Sequence, residues 1–127
     1  MQNAADHYLA DKVMTAGPAT LTGMLYDGAA AAVRGMIRTQ EAGQHSAAVT
    51  RSLKAQNILM ELRCSLDHEA GGRLSADLER LYAWAMASLV RATSDNDVTA
   101  ARDALQVLEQ LASAWQEACV GAVAAPA

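Results

Sequence analysis

Phenylalanine is absent from this sequence, and proline and cysteine occur only twice each. Few prolines mean few obligatory breaks in a helix, because proline removes a backbone donor and clashes with the preceding turn. Hydrophobic residues make up 52% of the chain and charged residues 19%. This composition excludes disorder along the whole chain and favours a helical protein rich in alanine and leucine. Its 127 residues are enough for one domain with one hydrophobic core.

The two cysteines, Cys64 and Cys119, lie far apart and belong to no CxxC or CxxCH pattern. Zinc ribbons, thioredoxin-like redox sites and haem attachment all need such spacing. We therefore interpret both cysteines as inert, partly buried thiols.

Recognisable catalytic motifs are also missing. The sequence contains no HExxH, no paired Glu-x-x-His, no GxSxG, no phosphate-binding loop and no dinucleotide fingerprint. Glu61, Cys64 and His68 could share one helical face, but three neighbouring metal-ligand types arise easily by chance. We expect no enzyme activity, no metal and no cofactor.

No stretch of the chain is strongly basic or long and apolar. The net charge of −4 comes from scattered charges, so nucleic acid is a poor candidate for a partner. The N-terminal segment MQNAADHYLADK carries acidic residues and lacks the apolar core of a secretory signal, which predicts a cytoplasmic protein. The longest uncharged run, residues 13–26, contains Gly17 and Pro18 and is shorter than the roughly 18 apolar residues that span a bilayer. We expect no membrane insertion.

Apolar residues recur with helical spacing in four stretches. The first predicted helix begins at Gly17 and Pro18 and ends near Gly43, since proline is favoured at a first helical position. The second runs from Ala48 to Leu66. Its predicted inward stripe includes residues of mixed size: Ala48, Val49, Leu53, Gln56, Leu59, Met60, Leu62 and Leu66.

A break at Gly71 and Gly72 is predicted to separate the second helix from the third. The third helix follows Ser75 and ends at residues 94–96. Its predicted inward stripe consists of Leu74, Leu78, Leu81, Tyr82, Ala85, Met86 and Leu89. The fourth helix runs from Val98 to Cys119, and either Asp95 or Asp97 can cap it.

Short connections between helices of about 20 residues force consecutive helices to run antiparallel. The predicted fold is therefore all-α, an antiparallel up-and-down four-helix bundle formed by residues 17–119. Residues 1–16 are a leader segment that could form a short helix docking on the bundle through Tyr8, Leu9 and Val13. Residues 120–127 form a tail that is expected to fray.

Three glycines interrupt the first predicted helix, at Gly23, Gly28 and Gly35. Each costs up to about 1 kcal/mol relative to alanine in a helix interior. Either the small residues let a neighbouring helix approach closely, or they leave a shallow groove for the side chains of a partner. The sequence leaves both interpretations open.

Three stretches resemble one known protein family when they are taken in order along the chain. They are TAGPATLTGMLYDGAAAAV (15–33), LKAQNILMELRCSLD (53–67), and LYAWAMASLVRATSDND followed by a helix ending LASAWQEA (81–118). Together they resemble the flagellar secretion chaperone FliS family, and the match covers nearly the whole chain.

The resemblance implies a small cytoplasmic helical bundle that binds the C-terminal segment of flagellin. Binding would prevent premature polymerisation and support export through the flagellar type III secretion system, in which other flagellar export components are possible partners. An export substrate of this kind is disordered when free and folds onto its chaperone. The alternative is another protein-binding bundle, such as a different secretion chaperone or a regulator.

The resemblance also implies candidate residues for a flagellin groove. Tyr8 matches a leader tyrosine in a segment that can cover the binding surface when flagellin is absent. The remaining candidates come from the motifs of the first and second helices: Leu21, Met24, Leu25, Tyr26, Lys54, Ala55, Gln56, Asn57, Ile58 and Leu62. For the apolar members the alternative is a place in the core, whereas the polar Gln56 and Asn57 are better suited to contact a partner's backbone.

Overall fold

A computed structural model describes residues 17–124, with side chains described up to residue 120. It contains four α-helices: α1 (Pro18–Glu41), α2 (His45–Cys64), α3 (His68–Ser94) and α4 (Val98–Ala124). Three-residue connections join them, so consecutive helices run antiparallel. The described residues contain no strand, and the predicted all-α four-helix bundle is confirmed.

The helices form a closed ring. α1 packs against α2 and α4, and α3 packs against the same two helices from the opposite side. Small side chains dominate the core, with alanines interleaved between leucines, Val33, Met36 and two tyrosines. Because alanine projects little from the helix, this composition lets the four backbones approach closely.

The predicted ends of α1 and the start of α4 agree with the structure. Pro18 occupies the first turn of α1, and Gly43, with φ of +74°, follows the end of that helix. Asp97 caps α4, where its Oδ1 accepts hydrogen bonds from the backbone N–H groups of Thr99 (3.1 Å) and Ala100 (3.4 Å). Of the two proposed caps, Asp97 is the one used.

The connection between α2 and α3 contains one segment that the sequence did not predict. α2 ends at Cys64, before His68 as the periodicity indicates, but helical structure resumes at His68, ahead of the two glycines. Asp67 starts this segment, because its Oδ1 accepts the N–H groups of Glu69 (3.1 Å) and Ala70 (3.0 Å). Aspartate at a helix N-cap satisfies donors that have no partner within the helix.

Gly72 interrupts α3 with a kink, so the predicted break in the helical backbone is present at this glycine and divides a short first segment from the rest of α3. Its φ of +51° and ψ of −124° are non-helical and lie in a region that glycine adopts without a steric penalty. The Ser75 hydroxyl donates to the backbone oxygen of Asp67 (3.0 Å) and ties the first turn to the rest of α3.

Two of the glycines of α1 face α2. A Cβ added to Gly28 would lie 3.5 Å from Ile58 Cδ1, and one added to Gly35 would lie 2.6 Å from Arg51 Nη1. The two pairs are seven residues apart on each helix in opposite directions, as antiparallel packing requires. Close packing against the Arg51 side chain of α2 therefore accounts for Gly35, whereas a methyl group at Gly28 would make an ordinary contact with Ile58. Gly23 faces α4 instead, where an added Cβ would lie 3.2 Å from the Trp115 ring.

Candidate functional site

Three of the residues singled out from the sequence are buried in the core. Tyr26, Ala55 and Leu62 are exposed by 2%, 0% and 1%. Their side chains belong to the hydrophobic core of the bundle, so they do not contact a partner directly. For these three residues the structure favours the core alternative.

Four other apolar candidates are half-buried: Leu21, Met24, Leu25 and Ile58. Leu25 and Ile58 pack against the edge of the core. Met24 lines the groove between α1 and α4 that is described below. These residues are not brought together into one pocket.

The polar candidates of α2 differ in accessibility. Lys54 and Asn57 are exposed, whereas Gln56 is half-buried and donates from Nε2 to the Ser52 hydroxyl (3.0 Å). One N–H of Gln56 is thus committed within the bundle, and Asn57 is better placed to contact a partner. Tyr8 lies outside the described residues.

Two apolar side chains predicted to face the core of the bundle are exposed on α2 instead. Leu53 is 53% exposed and Met60 is 41% exposed, and Asn57 lies between them on the same side of the helix. We call Leu53, Asn57 and Met60 the α2 surface. The inward positions belong to a stripe of smaller average size, Ala48, Ser52, Ala55, Leu59 and Leu62.

A second group of exposed apolar residues lies on α3. Leu74, Leu81 and Trp84 are exposed by 65%, 37% and 41%, and we call them the α3 surface. Leu74 and Leu81 were also predicted to face the core. The predicted core positions Tyr82, Ala85 and Leu89 are confirmed, and the remaining buried positions of α3 are Ser75, Ser88 and Ala92.

One sequence signal could have identified both surfaces. The buried residues of α2 and α3 follow a helical spacing only if small and polar residues, such as Ser52 and Ser88, are counted among the core positions. A serine can be buried within a helix when its hydroxyl has a partner, as Ser88 does at the Trp84 backbone oxygen (2.9 Å). The larger leucines and Met60 then fall beside the stripe.

A groove of about 290 Å³ lies between the start of α1 and the end of α4. Trp115 lines the groove, and its indole N–H donates to the backbone oxygen of Ala19 (2.8 Å). Met24, Cys119 and the exposed Asp27 also line it. The groove is a shallow cleft in which apolar atoms predominate.

A pair of tyrosines joins α1 to α3 inside the bundle. The hydroxyl oxygens of Tyr26 and Tyr82 lie 2.5 Å apart, and both rings are buried. Burial raises the pKa of both phenols, because the charged phenolate loses its hydration in the core. Both groups are therefore neutral at physiological pH and serve a structural role.

Ion pairs on the outside of the bundle fix helices to one another. Glu79 of α3 accepts from Arg63 Nε of α2 (3.2 Å) and lies 3.5 Å from His68 Nε2. Between residues 17 and 120 no group of three His, Cys, Asp or Glu side chains could hold a metal ion. None of the described helices is long and apolar enough to cross a membrane. The geometry offers apolar surfaces for binding.

Comparison with known proteins yields one consistent family. The family model described as "Flagellar protein FliS" matches residues 1–122. The flagellar secretion chaperone FliS of Escherichia coli K12 is 36% identical over 107 residues, which cover 83% of this chain and 78% of that protein. The FliS chaperone of Salmonella typhimurium LT2 is 34% identical over 106 residues, with the same two coverages. FliS of Bacillus subtilis 168 is 30% identical over 118 residues, 93% of this chain and 87% of that protein.

Proposed function

The chain belongs to the FliS family of flagellar proteins, and from this premise we propose that it is a cytoplasmic export chaperone for flagellin. It binds the disordered C-terminal segment of flagellin, prevents its premature polymerisation and supports its export through the flagellar type III secretion system. The names of its relatives, flagellar secretion chaperones, support the general role.

The observation that carries the proposal is the exposure of large apolar side chains on α2 and α3. Leu53 and Met60 on α2, and Leu81 and Trp84 on α3, are each between 37% and 53% exposed. Methionine and tryptophan are well suited to such contacts, because methionine adapts its shape and tryptophan offers a large apolar area. An amphipathic segment that folds against these residues would bury its own aggregation-prone face.

We propose the α2 surface as the centre of the contact. Asn57 can hydrogen-bond the backbone of the flagellin segment, and Lys54 and Gln56 border it. Half-buried Leu21, Met24, Leu25 and Ile58 provide further apolar contacts from α1 and α2. The core residues Tyr26, Ala55 and Leu62 keep the helices beneath this surface in position.

The proposal is tested by calorimetric titration with a peptide covering the C-terminal region of flagellin from the same organism. We expect saturable one-to-one binding with a negative heat-capacity change, which marks burial of apolar surface. The double variant Leu53→Ser, Met60→Ser should weaken binding at least tenfold, since it removes two exposed apolar contacts without opening a core cavity.

Val120→Ser is the matched control, because Val120 is an apolar residue of α4 exposed by 61% and lies outside both surfaces. Equal loss of affinity in the control would show that binding is non-specific. No heat of binding at about 100 μM protein would exclude an affinity useful to a chaperone and would contradict the proposal.

The leader provides a second test. If Tyr8 and its neighbours compete with flagellin for the same surface, removal of residues 1–16 should lower the dissociation constant for flagellin. The dissociation constant should fall to its present value multiplied by the fraction of molecules whose surface is uncovered. An unchanged affinity would refute the competition and leave flagellin binding itself unaffected.

The alternative is a bundle that binds another protein. The titration separates the two functions, because such a protein would bind its own partner and would give no heat with the flagellin peptide.

A further inference from the structure

A line of positive charge lies on the seam between α1 and α2, although the chain as a whole carries a net charge of −4. We call Arg38, Arg51 and Lys54 the basic seam. All three side chains are exposed, and none makes an ion pair with another residue between 17 and 120. The seam is therefore an exception within an acidic protein.

Arg51 fixes the geometry of the seam. Its Nη1 and Cδ would lie 2.6 Å and 2.9 Å from a Cβ on Gly35, so the side chain lies directly over the bare backbone of α1. A helix-interior glycine costs about 1 kcal/mol relative to alanine, and here it makes room for a guanidinium. This support restricts where the Arg51 charge can move.

The other two cations extend from Arg51 in opposite directions. Arg38 lies three residues beyond Gly35 on α1, and Lys54 lies three residues beyond Arg51 on α2. Because these helices are antiparallel and rise 1.5 Å per residue, the three positions follow one another at steps of about 4.5 Å along the seam. Carboxylates three or four residues apart on a helix have the same spacing.

Neighbouring acidic residues do not neutralise the seam. Glu41, one turn beyond Arg38, accepts from Arg102 Nη2 of α4 (2.8 Å). Arg34, which is on the same helix, lies 3.7 Å from Glu109 of α4 and so faces away from α2. Arg38 is in the last turn of α1, where the helix dipole favours a cation, but the dipole explains neither Arg51 nor Lys54.

The surface beside the cations carries little bulk on α1, because Ala31 is exposed and its side chain is a single methyl group. Gly35 is buried beneath Arg51 and Gly28 lies against Ile58, so a partner helix would contact these side chains and not bare backbone. On α2, Arg51 and Lys54 are directed roughly 100° or more away from Leu53 and Met60, given 100° of rotation per residue.

We propose that the basic seam binds an acidic helix of a second protein partner, whose carboxylates at i, i+3 and i+7 pair with the three cations. The partner is distinct in chemistry from an apolar export segment. Arg51 lies on a different side of α2 from Leu53 and Met60, whereas Lys54 lies between Arg51 and Asn57 and borders both surfaces. A protein helix fits better than nucleic acid, because three cations on a net-negative chain release few counterions.

The experiment uses two alanine-based helical peptides that differ only in carrying Glu or Gln at i, i+3 and i+7. Each is titrated into the isotopically labelled full chain and followed by the backbone amide resonances. The Glu peptide should shift the resonances of residues 31–38 and 47–54, and the Gln peptide should not. Salt at about 0.5 M should abolish the shifts, because exposed charges are then screened within a few ångströms.

The variant Arg38→Gln, Arg51→Gln should weaken binding of the Glu peptide by about two- to fivefold for each cation removed. Its matched control is Arg73→Gln, Arg91→Gln, which changes the net charge equally on α3 and should leave the affinity unchanged. Arg38→Glu is a second variant at an exposed position and should abolish binding even if loss of Arg51 disturbs packing.

Equal shifts with both peptides, shifts centred outside the seam, or equal weakening in the control variant would each overturn the proposal. Tighter binding of a DNA duplex to the same residues would also overturn it and would identify a nucleic-acid surface. Titration with the flagellin peptide is a separate measurement, so either proposal can fail while the other stands.

Discussion

The buried tyrosine pair predicts that the protein loses stability steeply in alkaline solution. Tyr26 and Tyr82 share a 2.5 Å contact between their hydroxyl oxygens, and burial raises the pKa of both phenols. In the unfolded chain a tyrosine has a pKa of about 10 and loses its proton above that pH. In the folded chain burial raises the pKa of both phenols above this value, so the unfolded state binds fewer protons than the folded state in this range.

The free energy of unfolding therefore falls as the pH rises above about 10. For one phenol that stays protonated in the fold, the loss at about pH 11 is RT ln(1 + 10), or about 1.4 kcal/mol. Tyr82, whose pKa burial raises far above that of a free phenol, accounts for a loss of this size, and the raised pKa of Tyr26 adds to the loss in the same direction. The stability contribution of the pair is fully present below the unfolded pKa.

The assay is urea unfolding followed by circular dichroism at several pH values, for the natural chain and for Tyr26→Phe, Tyr82→Phe. The double variant removes both partners of the hydrogen bond and leaves no buried hydroxyl without a partner, so at neutral pH it should lie within about 1 kcal/mol of the natural chain. It should also lose most of the alkaline dependence. All other ionisable groups are common to both proteins and cancel in the comparison.

Equal alkaline slopes in the two proteins would refute the reasoning, because the phenols would then ionise in the folded state as readily as in the unfolded state. A large loss at neutral pH in the double variant would show instead that the hydroxyl pair contributes far more than an ordinary hydrogen bond.

Two further predictions concern backbone positions. Gly28→Ala should raise the free energy of unfolding by about 0.5–1 kcal/mol, because the added Cβ meets Ile58 at an ordinary contact distance of 3.5 Å and the unfolded chain loses conformational freedom. A lower melting temperature would mean that the two helices cannot accommodate a methyl group. Asp97→Ala should lower the free energy of unfolding by about 1 kcal/mol through loss of the α4 cap. Asp95→Ala, whose side chain accepts no backbone N–H of α4, is the control, and equal losses in the two variants would contradict the assignment of the cap.

Helix periodicity predicted the fold well but misplaced several side chains. Counting apolar residues identified four helices, since long amphipathic stretches carry a strong periodic signal. The same counting assigned Leu53, Met60 and Leu74 to the core, because it treats every large apolar residue as an inward one. In an alanine-rich bundle the helices are close together, and the inward positions go to smaller residues such as Ser52.

The connection before α3 shows a different limit of sequence reasoning. A glycine pair and an aspartate cap both signal a helix boundary, and they lie only four residues apart at Asp67 and Gly71. Both signals are used, since Asp67 satisfies two N–H groups at the start of α3 and Gly72 interrupts the helical backbone after a short first segment. These bonds depend on local geometry that residue types alone do not specify.

The two tryptophans occupy contrasting environments and so give the chain two optical probes. Trp84 lies in the α3 surface with 41% of its area exposed, whereas Trp115 donates to Ala19 and contacts the Tyr26 ring edge-on, with ring centroids 6.2 Å apart. Emission from Trp84 responds to whatever covers α3, while emission from Trp115 responds to separation of α1 from α4. Replacing Trp115 with phenylalanine would leave Trp84 as the only tryptophan, whose fluorescence would report on occupancy of the α3 surface. Replacing Trp84 with phenylalanine would leave Trp115, whose fluorescence would report on unfolding.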